Sequence, residues 1–395
     1  MKLAGLRVLD LSQFMPGPLL AAHLADHGAQ VIKIEPVTGD PTRGVPGSGD
    51  AFFAALNRGK HSIAVDLKHP DGRDVALKLM NQADVVIESS RPGVAARLGI
   101  DYETVSRTNP RLVYCALTAF GQHGPLSRLP AHDPVIQSFA GTLPRDSRGA
   151  PITTGTSLAA LAGSLTALSA VLMALLRARE TGRGDYVDIS LFDAALTAQP
   201  HLSGRLLNAP YDRSADAIEG NSGIALLNAY ETADSKWLCL GGREYTFATN
   251  LLTPLGRPDL ISDAIGPAGE GQARVREFLE QTFRTRTRDD WLNWFEGRNI
   301  SVAPVLSLAE AINHPHTRER AMIQRDPSGC NHLANPIHFR MEPASPSLAV
   351  PHVGEHTERV LRDLGYSDDR IAELVSSGAV RGPCGATPAV AQPIH

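Results

Sequence analysis

Leu112-Val113-Tyr114-Cys115-Ala116-Leu117-Thr118 runs into Ala119-Phe120-Gly121-Gln122-His123-Gly124-Pro125, a strand that ends in a glycine- and proline-broken loop. A second loop leads to Ala131-His132-Asp133-Pro134. Beyond it an Ala/Leu-rich stretch, Ser157 to Arg179, reads as one long helix closed by Thr181-Gly182-Arg183-Gly184. The titratable pair His132-Asp133 therefore stands at a loop-to-helix junction, just past the carboxyl end of a strand. In α/β folds ligands and chemistry collect there. What lies upstream reads as a platform for a nucleotide-bearing ligand, and what lies downstream as a lid.

Upstream, Leu6 to Leu11 is a short β run, Pro16-Gly17-Pro18 opens a helix through Asp26, and Gly28 closes it. Gln30 to Glu35 is the next strand, and its acidic end is a feature of dinucleotide-binding units. Yet Ser12-Gln13-Phe14-Met15-Pro16-Gly17-Pro18 is not G-x-G-x-x-G. Its prolines also remove amide donors that a pyrophosphate needs, which argues against a nicotinamide dinucleotide. Ser62 to Leu67, a helix over 70–81 and the strand Asp84 to Glu88 continue the alternation. This spacing predicts an α/β fold, a Rossmann-like parallel-sheet large domain covered on both faces.

Downstream, Tyr186 to Leu191 is a strand and Phe192 to about Leu207 a helix; Tyr211 to Gly223 is turn-rich and marks a boundary. The region beyond holds all three tryptophans and reads as a smaller α+β domain. The expected division is a large domain over 1–210 completed by 325–378, a small domain over 225–320 and a mobile tail over 379–395. A terminal helix is expected from His356 to Val375.

The 395 residues, 43% of them hydrophobic, suffice for two cores. A net charge of −4 without a basic run argues against nucleic acid as a partner. Cys115, Cys239, Cys330 and Cys384 have no metal-ligand spacing, so no metal is expected and a reducing cytoplasm is. Met1-Lys2-Leu3 leads straight into a strand, so no signal peptide is expected. Leu158 to Leu176 is uncharged and long enough for a membrane span. Its Gly163, Ser164, Thr166 and Ser169 make it weakly apolar, and the reading is a buried helix of a soluble protein.

Several separated motifs resemble those of the class III CoA-transferases, the CaiB/BaiF family, which includes formyl-CoA transferase, carnitine CoA-transferase and the α-methylacyl-CoA racemases. Val31-Ile32-Lys33-Ile34-Glu35-Pro36 with Gly39-Asp40 and Arg43 resembles V-I-K-x-E-x-P…G-D-x-x-R. Asn57-Arg58-Gly59-Lys60-His61-Ser62 resembles N-R-x-K-x-S. Glu88-Ser89-Ser90-Arg91-Pro92-Gly93 resembles E-N-F-R-P-G, with serines for the usual Asn and aromatic. The resemblance runs from about Leu6 to about His316. It implies CoA or an acyl-CoA as ligand, held by Gln13, Lys33, Glu35, Arg43, Arg58, Glu88 and Arg91. The chemistry agrees, since arginine reads phosphate oxygens through a bidentate fork. An interlocked dimer, a homodimer or a heterodimer with a paralogue, is likewise implied.

The resemblance also bears on catalysis. His132-Asp133 matches the H-D or Y-D position, where racemase-like members use histidine to remove an α-proton. Asp133 is expected either to hold the imidazole or to cap the next helix. Glu244 falls where racemases carry a glutamate that orients the histidine. Transferases carry an aspartate in G-x-x-x-x-D that attacks the thioester; counted from Gly155, that position is Ala160, and the racemase position is Thr156. The nearest upstream acid is Asp146. Three readings follow: a CoA-transferase acting between carboxylic acids through another group, an acyl-CoA racemase, isomerase or lyase using His132 and Glu244, or a non-catalytic CoA-binding subunit. No hydroxylamine-sensitive adduct is expected at residue 160.

Overall fold

A computed structural model describes residues 1–46, 50–146, 148–208 and 223–382. In chain order it begins β1 (Arg7–Asp10), α1 (Pro16–Asp26), β2 (Gln30–Glu35), α2 (Ala51–Asn57), β3 (His61–Val65), α3 (Pro70–Gln82) and β4 (Val85–Glu88). Two short helices, α4 (Val94–Leu98) and α5 (Tyr102–Val105), precede β5 (Val113–Thr118), α6 (Asp133–Ala140), α7 (Leu158–Thr181), β6 (Asp185–Ser190) and α8 (Leu191–Thr197). Next come α9 (Pro200–Asn208), β7 (Ala229–Glu231), β8 (Trp237–Leu240), α10 (Tyr245–Leu252), α11 (Ile261–Ile265) and α12 (Glu270–Phe283). They are followed by α13 (Arg288–Phe295), β9 (Val302–Pro304), α14 (Leu308–Asn313) and α15 (Pro315–Glu319). The chain ends with β10 (Ile323–Arg325), β11 (Asn331–Leu333), α16 (Thr357–Asp363), α17 (Asp368–Ser376) and β12 (Val380–Arg381). Among the described residues, those of 1–199 and 321–382 form one compact unit and those of 200–320 a second.

The first unit is built on a seven-stranded sheet of order β12-β3-β2-β1-β4-β5-β6. β1 to β6 pair in parallel, and only β12 is antiparallel, against β3. Side chains alternate across the pleat. Leu9, Ile34, Val86 and Tyr114 pack on one face with Leu79, Met80, Leu361 and Leu374. Val8, Val31, Ile87 and Leu117 pack on the other with Leu20, Leu24, Ala167 and Val171. The long helix α7 packs one side along this face, through Ala167, Val171 and Leu175, and leaves Leu161, Leu165, Met173 and Leu176 exposed on the other. Gly182, with φ +71°, ends it in the left-handed conformation that favours glycine. At Gly184 any Cβ would collide with the carbonyl of Leu112, so the return into β6 requires glycine.

The second unit carries a three-stranded antiparallel sheet, β7-β8-β9, and a core of Tyr230, Leu279, Phe283 and Trp291. The buried indole N–H of Trp291 donates to the Phe283 carbonyl at 2.9 Å. This supplies the partner that a buried tryptophan needs.

Three expectations change. The units divide between Gln199 and Pro200, and the expected helix after Phe192 is two helices, α8 and α9. The terminal helix is likewise broken into α16 and α17, where Gly365 takes φ +84° and the Ser367 hydroxyl caps α17. Finally, the tail does not begin at residue 379. Ala379 and Val380 are buried, and β12 hydrogen-bonds the free edge of β3. Residues 211–222 and 383–395 lie outside the described residues.

Candidate functional site

Strand order reverses between β1 and β4, and a crevice of about 480 Å³ opens at the carboxyl ends of β1 to β4. Its lining includes Gln13, Glu35, Lys68, Glu88, Ser89 and Ser90. A crevice at such a switch point is where open α/β sheets hold ligands. The β1 and β4 loops are tied together, since the Gln13 amide donates to the Ser89 hydroxyl at 3.0 Å. The Ser90 amide donates to the Glu88 carboxylate at 2.7 Å. Burial nevertheless dominates at Glu88 and pushes its carboxyl up to about 7, against the pull of the Ser90 bonds.

Beneath the crevice lies a buried ionic frame. Lys33 is 0% exposed; its ammonium donates to the Ser12 carbonyl at 2.8 Å and pairs with Asp40 at 2.9 Å. Lys60 donates to Asp10, the Pro18 carbonyl and Asn57, at 2.8, 2.9 and 2.9 Å. Burial lowers the Lys60 ammonium to about 8, although Asp10 pulls the other way. Burial also opposes the charge on Asp10, but Lys60 and Lys33 together hold that carboxyl below its usual range. Glu35, also 0% exposed, accepts both arms of Arg43 at 2.8 Å, the Asp40 amide at 2.9 Å and the Ser62 hydroxyl at 2.6 Å.

The seven residues grouped from sequence as CoA-binding therefore separate. Gln13 and Glu88 line the crevice, and Arg91 is exposed on the loop after β4. Lys33 is fully buried with its ammonium on Ser12 and Asp40, and Glu35, at the crevice wall, accepts from Arg43, Ser62 and the Asp40 amide, so both also brace the crevice loops from within. The Arg43 fork is occupied by Glu35, and its guanidinium stacks on Phe53 at 3.5 Å. Arg58 is buried in an ion pair with Asp26 at 2.9 Å; with Arg43 it lines a different cavity, of about 1160 Å³. Lys68, an exposed cation on the crevice rim, was missed. Its only signal was its place just after a strand, in Asp66-Leu67-Lys68.

His132 is the exposed N-cap residue of α6, and its ring meets that of Phe14 edge-on at 5.3 Å. Asp133 does not hold this imidazole. One carboxylate oxygen accepts the Ala160 amide at 2.7 Å, and the other accepts the side-chain amide of Gln137. Gln137 also donates to the Thr156 carbonyl at 3.2 Å. Asp133 and Gln137 thus clamp α6 to the first turn of α7 and cap one of its orphan N–H groups. Ala160, 6% exposed, presents only a methyl group. Asp146 is spent on its own turn, accepting the amides of Arg148 and Ala150 at 2.8 and 2.9 Å. Glu244 belongs to the second unit, as the exposed N-cap residue of α10. Among the described residues no cluster of His, Cys, Asp and Glu is arranged to hold a metal ion.

A parallel-dominated open sheet with a crevice at its switch point, and a His-Asp junction clamped to a long helix, defines a Rossmann-like α/β protein. The chain belongs to CoA-transferase family III, which it matches over residues 3–357. It is 31% identical to human alpha-methylacyl-CoA racemase over 386 residues, covering 95% of this chain and 97% of that protein. It is 33% identical to the acetyl-CoA:oxalate CoA-transferase of Acetobacter aceti over 346 residues, 84% of this chain and 88% of that one. A CAIB/BAIF family protein from Brucella suis superposes with a TM-score of 0.78 at 29% identity, covering 92% of this chain and 99% of that structure.

Proposed function

We propose that this protein transfers CoA from an acyl-CoA to a free carboxylic acid. The supporting observation is the switch-point crevice in the same unit as the clamped start of α7. The crevice offers neutral and acidic groups within and the exposed cation Lys68 on its rim, and the exposed Arg91 follows the lining residue Ser90 in sequence. A nucleotide with an apolar base and anionic phosphates suits that distribution. CoA-transferases among its relatives, the acetyl-CoA:oxalate enzyme included, point the same way.

The test is a matrix of purified protein with acetyl-, succinyl- and branched acyl-CoAs against oxalate, glutarate and malate, read by chromatography of the CoA products. Appearance of the acceptor's CoA thioester is expected. CoA binding by calorimetry without any turnover would overturn this reading and leave the non-catalytic subunit.

A second reading is favoured by one observation: the His132 imidazole is exposed and not engaged by Asp133. In that reading His132 removes the α-proton of an acyl-CoA. Deuterium incorporation at the α-carbon of a 2-methylacyl-CoA in heavy water, lost about 10²–10⁴-fold in His132→Ala, would support it.

A further inference from the structure

We propose that the cavity of about 1160 Å³ in the first unit binds an uncharged, largely apolar small molecule through a hydroxyl or carboxamide head group. This site is separate from the switch-point crevice and takes no part in CoA transfer. One wall is α1 and α2; the other is the β10-β11 turn, β11 and the crossing segment 349–352. α1 meets the cavity with Leu19 and Ala22, and α2 with Ala51 and Ala55. An alanine side chain ends after one carbon, so the two helices leave room here, and Ala51 and Ala55 stay exposed. Leu333 and Val350 belong to the opposite wall. Apolar walls with a few placed polar groups are what a small organic ligand needs.

The polar groups are His23, Asp26, Arg58 and Asn335, all lining the cavity and only 3–8% exposed. The Asn335 carbonyl oxygen accepts the Ile337 amide at 3.0 Å. Its amide nitrogen is therefore turned to His23 Nδ1 at 3.0 Å and to Asp26 Oδ2 at 3.1 Å. His23 Nδ1 is then the acceptor, and the hydrogen of the neutral ring sits on Nε2. Burial favours that neutral form, holding the imidazole below its usual range against the pull of Asp26. His23 Nε2, Arg58 Nε and Asp26 Oδ1 make no hydrogen bond among the described residues. Two donors and one acceptor, all costly to leave unpaired, call for a group that both accepts and donates. Charge narrows the choice. Arg58 and Asp26 neutralise each other at 2.9 Å, Arg43 is bound by Glu35, Asp326 pairs with His332 at 3.0 Å, and Asp50 is exposed. A carboxylate would meet Asp26 and an ammonium would meet Arg58, each as a buried charge without a counter-ion of its own. A hydroxyl or carboxamide meets neither penalty.

Cys330 supplies the readout. It is exposed and lines the cavity, whereas the equally exposed Cys239 lies in the second unit and serves as control. The whole protein is alkylated with a maleimide in the presence of 1-octanol, octanoate or octylamine, and each cysteine is followed by digestion and mass spectrometry. Octanol is expected to slow labelling of Cys330 and leave Cys239 unchanged. Octanoate and octylamine should need about tenfold more, or beyond, for the same protection, a difference of about 1.4 kcal/mol. Ala55→Leu fills the cavity from an exposed position with a good helix former, and should abolish the protection while leaving the melting temperature unchanged. Equal protection by all three compounds, protection by none, or protection that survives in a folded Ala55→Leu overturns the assignment. So does a Cys330 that reacts only once dilution has produced monomers, since a second copy of the chain then fills the cavity. The comparison of head groups uses the unaltered protein, so misfolding of the variant does not rescue the idea. No turnover is read, and the CoA-transfer reading stands or falls separately.

Discussion

A carboxyl that burial holds near neutrality should announce itself in the pH dependence of stability. Glu88 is raised from 4.5 to about 7. Between those values the folded chain binds more protons than the unfolded one, so stability falls as pH rises through that window and levels off above it. Glu88→Gln cannot ionise. It should therefore melt higher relative to the parent at pH 8 than at pH 5, by calorimetry at both; an equal offset would mean that Glu88 titrates normally. Residue-level reading of the sequence was good at finding charge and poor at finding burial. Lys33, Glu35, Arg43 and Arg58 stand out in the sequence as charged motif residues, and in the fold they are engaged internally, with Asp40, Arg43, Glu35 and Asp26 respectively. A linear motif shows spacing, whereas the partner that neutralises each charge sits on a different strand or helix. Asp133 was legible as a cap or an orienter, and only the packing of α6 on α7 decides between them.

Among the elements, the alternation of strands and helices up to β6 was legible because apolar runs and Gly/Pro punctuation coincide there. β12 was not. Two residues inside a Gly- and Pro-rich terminus carry no periodicity, and what makes them a strand is the unpaired edge of β3. Two predictions belong here. Asp26 on α1 and Arg58 at the end of α2 are 3% and 6% exposed and joined by a 2.9 Å ion pair that Asn335 also supports. Asp26→Ala leaves a buried guanidinium without its charge partner and should cost about 3–5 kcal/mol in urea unfolding. A loss under about 1 kcal/mol would show that water reaches Arg58. Gly184→Ala drives a methyl into the Leu112 carbonyl and should cost about 1–3 kcal/mol, as overpacking does.

For the whole molecule, the exposed side of α7 bears on assembly. Leu161, Leu165, Met173 and Leu176 are all exposed, and their spacing puts them on one stripe of the helix. A stripe of this kind on an otherwise core-packed helix fits a second copy of the chain, in keeping with the dimer expected from sequence. Light scattering at micromolar concentration should give the mass of a dimer, and Leu165→Glu with Met173→Glu should shift it toward the monomer without lowering helix content. A monomeric parent would remove the stripe from any interface.

The pairing of β12 with β3 also has a consequence for how the chain is made. β6 is complete by residue 190, but the strand that closes the other edge of the sheet arrives only at residue 380. At about 5–20 residues per second the ribosome needs roughly 10–40 s to cross that interval. Throughout it the nascent sheet exposes the backbone of β3 and lacks the cover of α16 and α17. An open edge beside uncovered apolar side chains invites pairing with a neighbouring chain. Translation itself thus sets a window of vulnerability, and a nascent chain arrested short of residue 379 should need a chaperone that the finished protein does not.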